Sequence, residues 1–253
     1  ALDDGSLSGG YNTAIGDSAL GENEGGTENV AVGYQAVDAN TSGQQNVGIG
    51  SQSLSANTSG SSNSAVGKNA LKNNTTASNN TAVGKTALGA NTTGADNTAV
   101  GANCLDANTT ASYNNAFGYN TLTANTTGSF NAAFGHAVLQ SNTTANNNTG
   151  MGYLALSGNT TGSENIAIGN YTLDANVDGA NNTAVGYNAL SSNTSADFNV
   201  GIGRQALLSN TTGTLNVAVG TNALDANTTA NANVAVGYDA LTANTTGAEN
   251  NAI

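Results

Sequence analysis

The apolar residues of this chain come in two short groups that follow one another again and again. A triplet with branched residues around a small one, as in Ile166-Ala167-Ile168 or Val217-Ala218-Val219, is stopped by glycine; three residues later a small residue and a leucine follow, as in Ala223-Leu224. The remainder is Asn, Thr, Ser, Gly and scattered Asp. Alternation over three residues and a glycine stop predict a very short strand ended by a turn, and the small-Leu pair predicts a second short extended segment. A helix is excluded by glycine and asparagine at fixed places, by frequent Thr and Val, and by the absence of a sustained 3.6-residue apolar period.

The pattern has a strict period. From Asn12 through Asn29, Asn46 and onward to Asn250, asparagine recurs every 17 positions without an insertion, which makes fourteen complete units (12–249), a partial unit (250–253) and an irregular N-terminal segment (1–11). Counting from that Asn, position 3 is Ala or Gly, position 4 is Val, Ile, Phe or Met, position 5 is always Gly, position 9 is Leu except for Val37, and position 12 is always Asn. A fixed period in this range means a stacked architecture in which each unit contacts its neighbours. The expected fold is therefore all-β, a parallel β-solenoid (β-roll or β-helix) of about fourteen 17-residue coils. In it the position 4 column and the leucines, such as Leu105 and Leu122, interdigitate inside with alanine. Asn91, Asn108 and Asn125 form a ladder at a coil corner, where asparagine also tolerates left-handed backbone. The glycines, such as Gly101 and Gly118, mark a positive φ or a place where no Cβ fits.

Composition narrows the function. Only 8% of the 253 residues are charged, against about 25% in an ordinary domain, and the periodic apolar pairs distinguish the chain from a disordered one. With four basic residues and a net charge of −12, nucleic acid is excluded as a partner, because its binding leans on Lys and Arg. No apolar run approaches a membrane span, and the opening ALDDGSL has neither an initiator Met nor a signal-peptide pattern, so the chain is expected to be soluble and an excised or processed piece. A single Cys rules out an intrachain disulfide framework. Two large apolar side chains per coil make a thin core for 17 ordered residues, which leads to the expectation of a homo-oligomer.

The segments NTAVG, NVAVGYDAL and NIAIG resemble the head repeats of YadA-like trimeric autotransporter adhesins, and are still more similar to the NTAVGYQAL-type repeats of phage tail fibres and bacterial surface proteins. The resemblance covers residues 12–253. It implies a left-handed parallel β-roll, three chains side by side, and a binding surface projected from a cell or virion. It carries over structural positions only: the apolar residue such as Val219, the glycine such as Gly220, and the pair Ala223 and Leu224. The unit here is a few residues longer than the commoner adhesin repeat, through its ANTTG segment.

Candidate chemistry is sparse. His136, the only histidine, occupies variable position 6 and reads as a solvent-facing substitution; Cys104 stands where Ala is usual and reads as a buried small residue with no catalytic partner. Asp38, Asp106, Asp174 and Asp225 share position 10 but skip units, unlike the ligand set of a calcium β-roll, which renews every turn. No metal, cofactor or catalytic residue is expected, and the chain does not read as an enzyme, since a site needs unique residues converging in a cleft. Asn-x-Thr/Ser begins at position 12 in twelve units, yet Asn23 and Asn176 keep the Asn after the acceptor signature is lost; the amide itself is what that column needs. Tyr34, Tyr119, Tyr153, Tyr187 and Tyr238 at position 6, with Tyr113, Phe130 and Phe198 at position 17, are half-exposed rings that mark a ligand or lateral contact, or cover the thin core.

These readings favour a non-catalytic structural and adhesive module of an extracellular, cell-surface or tail fibre, with a host or cell-surface ligand and without membrane insertion. One alternative is a self-assembling extracellular filament joined head to tail, in which Ala252 and Ile253 of one chain abut Ala1 and Leu2 of the next. Another is an ice-binding solenoid displaying stacked threonines, of which at most one per Thr-Thr pair projects outward.

Overall fold

The computed structural model describes residues 9–253. These fall into two compact units that meet in sequence between Ser129 and Phe130, and each is a parallel β-solenoid. The first unit runs from β1 (Thr13–Ile15) to β7 (Asn115–Phe117) and the second from β8 (Ala132–His136) and β9 (Thr149–Tyr153) to β15 (Asn251–Ala252). Within each unit every strand pairs in parallel with its successor, and the register is the sequence period: Thr81 lies opposite Thr98, and Val217 opposite Val234. No helix occurs among the described residues.

Each coil has one strand rather than two. The small-Leu pair, expected to be extended, instead lies in a turn whose backbone is left-handed: positions 7, 9 and 17 of every coil have positive φ, including Leu105 (51°), Leu122 (53°) and Leu224 (51°). Asparagine at position 12 is not the left-handed corner. The physical reason lies in the direction of the amides. Asn103 at position 7 donates its N–H to the Lys85 carbonyl of the coil before (3.0 Å), and Leu105 at position 9 donates to the Thr121 carbonyl of the coil after (3.0 Å). A left-handed residue lets the chain turn sharply while its N–H stays parallel to the stack. That conformation costs roughly 1–2 kcal/mol for a residue with a Cβ, and burial of the leucine side chain offsets it by about 1.5–3 kcal/mol.

The core also differs from the expected one. Position 3 alanines such as Ala99 and Ala218 are fully buried together with the position 8 residue and the leucine, whereas the position 4 column points outward, with Ile168, Ile202 and Val236 more than a third exposed. Strand alternation forces this outcome: once Ala218 faces in, Val217 and Val219 face out. The coil is too narrow for the larger side chain, so the alanine takes the inside.

Asparagine fills the remaining space. Within one coil the Gly94 carbonyl accepts from Nδ2 of both Asn80 and Asn91 (2.9 Å each), a brace that closes the coil on itself. Between coils the Asn91 amide donates to Asn74 Oδ1 (2.9 Å), Asn108 to Asn91 (2.9 Å) and Asn125 to Asn108 (3.1 Å). At position 1, Asn80 Oδ1 accepts the backbone N–H of Asn97 (3.0 Å). These amides are buried and paired, as the interior requires.

Leu224→Ala should cost about 2–5 kcal/mol by opening a cavity. Asp225 is only partly buried and its carboxylate accepts one bond, from Thr242 Oγ1 (2.6 Å), so Asp225→Ala should stay within about 1 kcal/mol of the parent. Urea unfolding of the two variants checks this, and equal midpoints would contradict the inward placement of the leucine.

Candidate functional site

The outward side of each sheet carries an apolar stripe, because position 4 is Val, Ile, Phe or Met in every coil. In the second unit the pairs Ile166 and Ile168, Val200 and Ile202, Val217 and Val219, and Val234 and Val236 stand at positions 2 and 4 of their coils; Val30 and Val32, then Val47 and Ile49, do the same in the first. Soluble surfaces seldom carry so continuous an apolar strip without a use for it. Where β9 extends to five residues, its outward positions Thr149, Met151 and Tyr153 run on from this stripe into the aromatic column at position 6.

The position 6 tyrosines Tyr34 and Tyr119 (50%), Tyr153 (40%) and Tyr187 (47%) are half exposed, and Tyr238 in the last coil is more so (75%). In the second unit Tyr153 and Tyr187 belong to a continuous ring series. His136 stacks on Tyr153 with centroids 5.2 Å apart, Tyr153 meets Tyr171 edge to face at 5.3 Å, and Tyr171 meets Tyr187 edge to face at 6.2 Å. Tyr171 escapes a reading by columns because it sits at position 7. In that coil position 6 is Asn170, whose Oδ1 accepts the Tyr153 backbone N–H (2.9 Å). Moving the ring by one residue, onto a left-handed backbone (φ 55°), turns it nearly perpendicular to both neighbours. His136 is exposed, but it faces a ring rather than open solvent.

Two surface hollows lie beside this column. One, of about 310 Å³, is walled by Tyr171 and Tyr187 and floored by Asp174, Asn188 and Ser191. Burial pushes the Asp174 carboxyl above the usual carboxylate range, opposed by a backbone hydrogen bond and by the Ser191 hydroxyl, and its Oδ1 has no hydrogen-bond partner. The other, of about 380 Å³, opens at Gly89, where position 10 has no side chain, between Lys72 and Asp106; Lys85 and Asn69 also line it, and Asn69 Oδ1 is buried without a partner.

Nucleophilic chemistry finds little support. Cys104 is fully buried, its thiol donates to the Ala116 carbonyl (3.2 Å), and burial pushes its pKa up to about 12, so almost no thiolate forms at neutral pH. The position 10 aspartates do not assemble a ligand set: among the described residues no three His, Cys, Asp or Glu groups lie together. Asp38 is raised above its ordinary value first by burial and then by Glu22 and Asp17. Asn91, Asn108 and the other position 12 residues from Asn23 to Asn227 are buried with their amide nitrogens bonded, so they offer no exposed acceptor for a glycan, whereas Asn244 in the last coil is only half-buried. At the ends, Ala252 pairs with Ala235 and Ile253 is fully exposed, while Ala1 and Leu2 lie outside the described residues. Among the described residues no helix is long and apolar enough to cross a membrane.

Compared with known proteins, the chain matches no family model and no curated sequence, so its function is argued from the outward stripe, the aromatic series and the two hollows alone.

Proposed function

We propose that this chain is a non-catalytic structural and adhesive repeat module of an extracellular or tail fibre, and that copies of it associate side by side through the outward Val/Ile stripe. The observation that carries this reading is the stripe itself. Large branched side chains, the costliest to leave in water, stand outside while alanine stands inside, and a second copy presenting the same stripe would bury both. Burying the position 4 residue of every coil, and the position 2 valine or isoleucine where there is one, from each partner enlarges a core that otherwise holds one large side chain per coil. The resemblance to trimeric adhesin heads favours three copies.

The aromatic column beside the stripe is the candidate contact for a host or cell-surface ligand, since exposed tyrosines supply large rigid contact areas. Head-to-tail filament growth is the alternative assembly. The ice-binding alternative is weaker: Thr92 Oγ1 and its equivalents are spent on the next coil's carbonyl (3.0 Å for Thr92 to Thr109), and the exposed position 14 column is interrupted by Asp178.

Sedimentation velocity over a range of concentrations tests the reading. The parent should sediment as a discrete oligomer, and Ile168→Glu with Val219→Glu should reduce it to a monomer of unchanged circular dichroism. A parent that stays monomeric at high concentration would overturn side-by-side association, and growth without limit would favour the filament.

A further inference from the structure

The hollow at Tyr171 and Tyr187 has features that the other coils lack. Column 6 carries tyrosine in several coils, but only here does an aromatic residue one position further along turn its ring across the column, so that two rings stand nearly perpendicular (87°) with centroids 6.2 Å apart. Perpendicular rings make a corner with two π surfaces, whose negative faces attract a cation held within about 6 Å of the ring centroid. Asp174 lines the same hollow, and because one of its oxygens is buried without a hydrogen-bond partner, a cation held in the hollow would offset charge that the protein leaves uncompensated. No Lys or Arg lines the hollow, and a net charge of −12 concentrates cations at the surface.

We propose that this hollow binds a substituted ammonium group, such as the trimethylammonium end of a choline-type headgroup, between the rings of Tyr171 and Tyr187 and against the carboxylate of Asp174. A methylated ammonium suits the site better than a bare metal ion or a primary amine. One carboxylate, one amide and one hydroxyl supply too few oxygens for a hard cation, which takes six or more, and a primary ammonium gives up more hydration to reach an aromatic wall than its methylated form does. The hollow of about 310 Å³ admits the group, and the Asn188 side chain that lines it offers an amide to the polar part of the headgroup. The inference deepens the adhesive reading, because it names the chemistry of the ligand that the aromatic column would hold on a cell surface.

The test is a calorimetric titration of the full chain with choline chloride, repeated with its uncharged carbon isostere 3,3-dimethylbutan-1-ol, with methyl glucoside and with sodium chloride. Choline is expected to bind saturably at one site per chain and the isostere about tenfold or more weaker; Asp174→Asn and Tyr187→Leu should each weaken choline by about tenfold. Circular dichroism verifies that both variants fold, and Thr212→Ala, on the exposed position 14 column and outside the hollow, should leave binding unchanged. Equal binding of choline and the isostere, binding of the glucoside alone, or no saturable binding of choline would each overturn the proposal. Sedimentation of the same samples reads the assembly separately, so a failed choline titration leaves side-by-side association standing, and a monomeric parent that binds choline leaves the ligand site standing.

Discussion

A valine at Gly101 should destabilise the first unit by about 4 kcal/mol or more, among the largest effects a single substitution can have. Gly101 has φ of 140°, a conformation that a β-branched residue reaches only with strain of roughly 1–3 kcal/mol. A Cβ added there would overlap the carbonyl of Gly118 in the next coil. That carbonyl cannot retreat, because Gly118, itself at φ 131°, is held by its own N–H on the Val100 oxygen (2.7 Å). Strain and overlap therefore act together, and relief requires parting two coils. Urea unfolding followed by circular dichroism should show the midpoint of Gly101→Val far below that of Ala102→Val, a substitution at the outward neighbour. Coincident midpoints would mean that the glycine column is not under this constraint.

The second large effect is expected at Asn108. Its Nδ2 donates to Asn91 Oδ1 (2.9 Å) and the Ala111 carbonyl (3.0 Å), and its Oδ1 accepts from Asn125 (3.1 Å). Asn108→Leu keeps the bulk and removes all three bonds. The Ala111 carbonyl retains a second donor in Asn97 (2.9 Å), but Asn91 Oδ1 loses the donor from the next coil and Asn125 loses an acceptor, both in the dry interior. At about 1–3 kcal/mol for each buried group left unpaired, the loss should be roughly 2–5 kcal/mol, whereas Thr110→Leu, on the exposed position 14 column two residues away, should change stability little. If the two variants melt together, the amide ladder contributes nothing beyond filling space, and the core would have to be held by backbone bonds and leucine alone.

The same two columns show how far a single chain can be read. The fold class is legible because the period is: seventeen residues repeated without insertion can bury a periodic face only by stacking, and the strand registers follow that period residue by residue. The meaning of the glycine column follows almost as directly, since a residue that never varies among fourteen copies and lacks a Cβ points to backbone rather than to side-chain contact.

What the sequence could not determine was which way each residue faces. Three alternating residues such as Val217-Ala218-Val219 fit a strand with either face inward, and hydrophobicity alone favours burying the valines. Tertiary structure reverses that choice because the space inside a coil is set by three left-handed turns and by two asparagines bracing one carbonyl, and what remains accommodates alanine and one leucine. The left-handed leucine was equally illegible, since local propensity argues against it and only the pairing of its N–H with the next coil makes it favourable. The ring of Tyr171 was hidden for a related reason: its column is polar in most coils, and its importance comes from standing across Tyr187 from the coil before, a relation between neighbours in the stack. The sequence by itself thus determined the period, the strand and the glycine stop, all of which are local or repeated, whereas the inside, the outside and the aromatic corner depended on how much room one coil leaves for the next.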